Sequence, residues 1–381
     1  MPNILKRVKQ GAIFYVLALI SPEMINAMPF TATPQLQFSE RYIENSDTRT
    51  NLRSEDYISS AVASLQLEYR FPASHLSGGV SYESSYSSAN NTGRSNRLNG
   101  NLDYFYEARR WSSGIKGSAV STQYGETASQ LNEGVLTHST DFRQESAGVN
   151  GKYLLSRQWD LLMNYDYIKN QYSSAQYVDS ENHSAASSLV YRRTQSDQLE
   201  LLGGANYYRF YPGANIKSVT ANARWRHQTG KFTALQAGTG IGVTTGQRVF
   251  WLFDLNLTRN FERGSVSAGY SRNMGSGGGI AGTATITQQV TLSASKTLTQ
   301  DLNGNISASI GDSIATIPGS NYDAKFWNAN AGLNFGILKW LNGSLSLSHA
   351  YQETEGRLTE SLTSDQVSFT LSTHFSPWRP F

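Results

Sequence analysis

The chain reads as an all-β protein: one closed antiparallel transmembrane β-barrel of about 18 strands, with both termini on the periplasmic side. Three observations predict this. Side chains alternate between apolar and polar with a period of two in stretch after stretch, as in a strand with one greasy face. The connections between these stretches alternate between short and long. Beyond the first 27 residues, no apolar run reaches the 18 or so residues that a membrane-crossing helix needs.

The N-terminus is read first because it is not part of that pattern. Lys6, Arg7 and Lys9 precede the apolar run Gly11 to Ile20, and the small residue Ala27 follows. A basic start, about ten apolar residues and a small residue at the cut describe a secretory signal peptide. The expectation is a cleaved leader over residues 1–27 and a barrel domain over residues 28–381. Removing the leader lowers the formal charge from +3 to about +1, and a near-neutral chain gives no reason to expect a nucleic-acid partner.

The strands follow in order. The first two, roughly Thr33–Glu44 and Asp56–Phe71, have the least clear phase. Trp159, Leu161, Met163, Tyr165 and Tyr167 face away from Asp160, Asn164 and Asp166. Val219, Ala221, Ala223 and Trp225 oppose Thr220, Asn222, Arg224 and Arg226. Val249, Trp251, Phe253, Leu255 and Leu257 oppose a face that carries Asp254 and Asn256. Ala284, Ile286, Val290, Leu292 and Ala294 alternate with threonines, and Ile306, Ala308 and Ile310 alternate with Asn305, Ser307 and Ser309. The last hairpin is the most legible. Leu341, Leu345 and Leu347 alternate with Asn342, Ser344, Ser346 and Ser348, then Val367, Phe369 and Leu371 alternate with Ser368, Thr370 and Ser372.

Short connections are expected near residues 72–74, 108–110, 156–158, 195–197, 229–230, 262–264, 299–301 and 337–339. Longer polar ones are expected near 87–94, 125–140, 173–182, 274–282, 315–321 and 353–364; those at 212–216 and 245–247 are brief. An outer-membrane barrel has short periplasmic turns and longer outside loops. Tyr104, Trp111, Tyr153, Trp159 and Trp340 flank the short turns, as an interfacial aromatic girdle would. A soluble β-sandwich also alternates, but its strands average only 5–6 residues, about half the length read here. A secreted solenoid lacks the hairpin rhythm.

Few kinds of chemistry fit the composition. With no cysteine the chain cannot itself attach c-type haem or build a thiolate metal site. The six histidines are scattered with no ligand-pair spacing. Asp160 and Asp166 share a strand face but lie about 20 Å apart, beyond the roughly 5–10 Å that separates a glycosidase carboxyl pair. The segment Gly275–Gly279 lacks the Lys-Ser/Thr of a phosphate loop, and Glu353, Glu355, Glu360 and Asp365 read as a solvated loop cluster. No catalytic, cofactor or metal site is expected. The residues singled out are lumen charges, Arg224, Arg226, Asp254, Asp160 and Asp166, placed to bias what enters. Too few residues separate Ala27 from the first strand for an N-terminal plug domain.

Pro34-Gln-Leu-Gln-Phe-Ser-Glu-Arg-Tyr42, Asp56-Tyr-Ile58 and Leu65-Gln-Leu-Glu-Tyr-Arg-Phe71 resemble the start of outer-membrane barrels associated with exopolysaccharide and exosortase systems. The hairpin Tyr153–Tyr167 continues the likeness. That family usually carries two acidic or amide residues directly after the Tyr, whereas here Ile43 precedes Glu44-Asn45. The chain is also similar in look to porin-like barrels that sheath multihaem cytochromes. The resemblances imply a non-enzymatic passage through the Gram-negative outer membrane, inserted into its lipid by the barrel-assembly machinery. They imply either a porin-like channel, an export barrel for a polysaccharide, or a sheath around a periplasmic or multihaem cytochrome partner.

Overall fold

The computed structural model describes residues 30–47, 52–88, 94–123, 141–173, 177–211, 213, 215–245, 249–277, 283–316, 322–355, 360–373 and 375. The expected leader, residues 1–27, lies outside them. The described residues form one eighteen-stranded sheet. It begins with β1 (Phe30–Asp47), β2 (Leu52–Arg70), β3 (Ser74–Ser87), β4 (Arg94–Glu107), β5 (Trp111–Gln123) and β6 (Asp141–Leu154). It continues through β7 (Trp159–Tyr172), β8 (Asp179–Arg192), β9 (Asp197–Tyr211), β10 (Asn215–Thr229), β11 (Thr233–Thr244) and β12 (Val249–Phe261). It ends with β13 (Gly264–Gly277), β14 (Thr283–Thr297), β15 (Leu302–Ala315), β16 (Asp323–Leu338), β17 (Leu341–Glu355) and β18 (Glu360–Thr373).

Each strand pairs antiparallel with its chain neighbours, and β1 also pairs with β18 from Gln37↔Ser372 to Asp47↔Leu362. The sheet therefore has no free edge along that seam, as a sheet in hydrocarbon requires, because lipid satisfies no backbone N–H or C=O. Eighteen strands about 4.8 Å apart and tilted about 40° enclose a cylinder roughly 35 Å across. The expected short connections are tight turns. Gly230, between β10 and β11, adopts φ +68°, which a residue without a Cβ reaches at no steric cost.

Register fixes which residues share a face. Leu292 lies opposite Ala268 and Ala308, while Thr291 lies opposite Gly269 and Ser309. The first set points outward and the second into the lumen. On the outside, Trp251 is 68% exposed, Val219 63% and Ile306 61%. Such a continuous apolar surface is far beyond the few hundred Å² that a soluble monomer shows. The packing is inside-out: the outer wall is the greasy one.

The two rims of this belt are marked by rings. Beside the short turns, Tyr106 packs on Trp111 at 4.9 Å and Trp159 on Tyr191 at 4.7 Å. A second set, not read from the sequence, lies near the longer connections. There Tyr167 meets His183 at 5.0 Å, Tyr42 meets Tyr57 at 4.9 Å and Trp327 meets His349 at 4.5 Å. Beyond it the outer face turns charged, with Glu145, Lys169, Glu181 and Arg209 directly opposite one another on β6 to β9. Aromatic rings with charges outside them are what a headgroup boundary selects.

The facing is tested by two arginine substitutions. Leu292→Arg should destabilise the barrel by about 2–4 kcal/mol if it sits near the bilayer midplane, measured by denaturant unfolding in lipid vesicles. Thr291→Arg should cost much less, and equal costs would contradict the assigned phase.

Candidate functional site, the lumen and its constriction

The inward face divides into two arcs. Across β13 to β18, successive rungs carry small polar residues. One rung runs Ser265, Ser295, Asn305, Gly332, Ser346 and Ser368; the next runs Ser267, Ser293, Ser307, Asn330, Ser348 and Gln366. A third runs Gly269, Thr291, Ser309, Asn328, Ala350 and Ser364. Serines pair across strands, Ser267 with Ser293 at 2.6 Å and Ser346 with Ser368 at 2.6 Å. A sheet face directed at water is free to carry such short side chains, since nothing has to fill the space in front of them.

The other arc carries the charges, and most of those described form ion pairs. Arg224 Nη1 donates to Glu200 Oε2 at 3.3 Å, and its Nε lies 3.4 Å from Asp254 Oδ2. Arg226 Nε donates to Gln236 Oε1 at 2.9 Å, and Gln236 Nε2 donates to Asp254 Oδ2 at 2.8 Å. Three of the sequence-derived residues, Arg224, Arg226 and Asp254, thus belong to one network. The other two stand elsewhere on the wall. Asp160 is 2% exposed and is held by Arg192, with Lys152 Nζ at 3.5 Å. Asp166 Oδ1 lies 2.8 Å from Lys116 Nζ.

Two of these bridges share a device that the sequence pattern did not reveal. Arg224 and Asp254 are on β10 and β12, with Gly238 of β11 between them on the same rung. Lys116 and Asp166 are on β5 and β7, with Gly148 of β6 between them. A Cβ at Gly148 would come within 2.6 Å of Asp166 Oδ1, and one at Gly238 would collide with Asp254. Each glycine leaves a gap across which a long cation reaches an acid two strands away. Only the register brings these residues together, so the partners Glu200, Lys116, Lys152 and Arg192 were not identified from spacing.

The second unanticipated feature crosses the lumen. Above Phe253↔Arg272, β13 stops pairing with β12 but stays paired with β14 as far as Gly277↔Thr283. Arg272 Nε donates to the carbonyl of Trp251 at 3.2 Å where the strands part. The freed end of the β13–β14 hairpin bends inward, and β14 reaches β9, which is not its neighbour in the sheet. Ala284 packs with Val178, just before β8, and with Tyr208, Phe210 and Ile216 on the inner wall of β9 and β10. Ile286, in the phase that faces lipid lower down, packs on Phe250 and Leu252 of the β12 inner wall.

The adjacent β15–β16 hairpin behaves alike. Ala315, Tyr322 and Ala324 pack against Phe142, Tyr172 and Tyr177 on β6, β7 and the segment before β8. The two hairpins are tied together, because Thr316 donates from N and Oγ1 to the Ala284 carbonyl at 2.9 and 2.8 Å. Thr287 and Ser313 hydroxyls meet at 2.6 Å. Thr283, Ala284, Thr285 and Ile286 are all at most 4% exposed. A strand buried on both faces inside a barrel has protein on either side, so this is a constriction. The loop expected at residues 274–282 therefore begins inside the lumen, with Met274 packed against the buried clusters.

No protein-family model matches the chain, and no curated protein matches it either. Solved structures do. OccK2 (OpdF) of Pseudomonas aeruginosa in complex with glucuronate is 11% identical, with TM-score 0.54, over 91% of this chain and 98% of that one. OccK3 (OpdO) of the same organism is 13% identical, with TM-score 0.53, over 91% and 96%. OccAB3 of Acinetobacter baumannii is 10% identical, with TM-score 0.51, over 90% and 99%. At such identities the likeness is one of fold, and the fold is the closed eighteen-stranded barrel.

The apolar seat of the constriction is open to test. Phe210→Ala should remove about 3–5 kcal/mol of packing, chiefly from the hairpin end that rests on it. Amide exchange at Thr283–Ile286 should then quicken by roughly 100- to 1,000-fold or more, while exchange in β3 to β5 stays unchanged. Uniform acceleration would mean that Phe210 supports the whole barrel instead.

Proposed function

We propose that the chain is an integral barrel of the Gram-negative outer membrane and forms a porin-like channel across it, narrowed by its own β13–β16 hairpin ends. The observation that carries this reading is the inside-out packing: a closed ring with an apolar belt outside and a hydrated, hydroxyl-rich wall inside. It is supported by the fold shared with the Occ proteins, which are outer-membrane porins. A sheath around a cytochrome would need lumen space that Ala284, Ala315 and Tyr322 occupy together with the opposite wall. The reading assigns no catalysis, since the paired lumen charges serve a wall rather than a reacting bond.

The charge network has a defined role here. Fixed charges on a pore wall bias ion entry, and Arg224, with Arg226 joined through Gln236, offsets Glu200 and Asp254. The purified barrel should migrate differently on a gel before and after boiling, and should give stable single-channel steps in a planar bilayer. Arg224→Gln should shift the reversal potential toward cations, because it leaves Glu200 and Asp254 with Arg226 as their one remaining cation in the network. A barrel that inserts but never conducts would overturn the reading.

A further inference from the structure

Resting on the channel reading above, we infer that the solute this lumen favours is uncharged and polyhydroxylated, of saccharide chemistry, and that below the constriction it travels along the β13–β18 wall. Two independent features of the lumen point to that class.

The first is charge cancellation. A wide channel whose wall attracts ions at a distance needs fixed charge without a counter-charge beside it. Here Lys116 meets Asp166 at 2.8 Å and Arg97 meets Glu83 at 3.6 Å. Arg224 lies between Glu200 and Asp254 and Arg226 joins Asp254 through Gln236, so that cluster holds two cations and two carboxylates. An ion pair whose members are a few Å apart is a dipole to a solute on the far side of the lumen. Screening over about 8 Å at physiological salt weakens it further. Among the described residues, the wall that carries these pairs is therefore only weakly attractive to an anion or a cation passing at a distance.

The second is the opposite wall. The rung Ser267, Ser293, Ser307, Asn330, Ser348 and Gln366 presents donors and acceptors without charge, and the rungs on either side repeat its character. Along a strand, inward residues recur about every 6.8 Å. A solute rich in hydroxyls exchanges hydrogen bonds with water for similar bonds with this wall, so the net gain per bond is small. A series of near-equal weak sites is what passage requires, since tight binding would stall it. A carboxylate could accept charge-assisted bonds from these hydroxyls and amides, but it would give up equally strong ones to water, and this wall supplies no cation to offset its desolvation.

The test uses the intact barrel in vesicles and planar bilayers. With maltose and lactobionate as a neutral and an anionic disaccharide-sized probe, liposome swelling should be at least about threefold faster with maltose. The cation-to-anion permeability ratio in a KCl gradient should lie within about twofold of unity. Ser293→Asp with Ser307→Asp, placed on the neutral wall and away from the constriction, should raise that ratio severalfold and slow lactobionate further. Faster swelling with lactobionate, or a tenfold intrinsic preference for one ion sign, would overturn the inference while leaving the channel intact. Absence of both swelling and conductance would instead overturn the channel itself.

Discussion

Everything in this molecule depends on one requirement: inside hydrocarbon, each backbone N–H and C=O has to find its partner within the protein. The β1–β18 seam meets it by closing the sheet, with Thr373 Oγ1 accepting from the Leu36 amide where the ladder runs out at 3.0 Å. Closure then dictates composition. Once the ring exists, one face of every strand meets lipid and the other meets water, so Leu292 and Thr291 can be neighbours in sequence and opposites in chemistry. No conventional core is needed. Most of the buried apolar residues among those described cluster where the chain crosses its own lumen.

That requirement also explains how much was legible in the sequence. A period of two survives without any alignment because lipid and water impose it on each strand separately. The strand number, the antiparallel order, the short turns and the outward phase of Trp251 or Leu345 could all be read from it. Register could not, because hairpin geometry sets it strand by strand. Hence Arg224, Arg226 and Asp254 could be placed on one face, but not joined through Gln236 or bridged across Gly238. The second aromatic rim escaped notice for a related reason. His183 and Tyr207 sit on different strands and meet only once β8 and β9 are aligned.

The glycines carry information of a different kind. In a soluble sheet, a strand glycine usually marks a bulge or a weak point. On this inner wall, Gly148 and Gly238 are spacers, and the side chains on either side meet above them. A wide lumen makes this possible because no opposing sheet competes for the volume. The consequence is electrostatic: charges that would otherwise project into the channel are drawn sideways along the wall and neutralised there. Substituting such a glycine would alter the lumen field without touching any charged residue.

The constriction follows from the same alternation, used against itself. In lower β14, Leu292 and Thr291 meet different media, so a strict apolar–polar pattern is stable. Near the tip, Thr283 to Ile286 meet protein on both sides, and the pattern that suits lipid and water must suit two packed walls. Small residues resolve the conflict. Ala284 and Ala324 are fully buried without displacing the aromatic residues that face them, and threonine hydroxyls close their hydrogen bonds on Ala284 and Ser313. The narrowing is therefore built from apolar contact and a few neutral hydrogen bonds, with the ion pairs held on the wall around it. Each well-buried side chain in the seat contributes about 1.5–3 kcal/mol, partly offset by ordering the hairpin ends. The passage is thus set by packing volume, and salt should leave its width unchanged even where it alters the field around it.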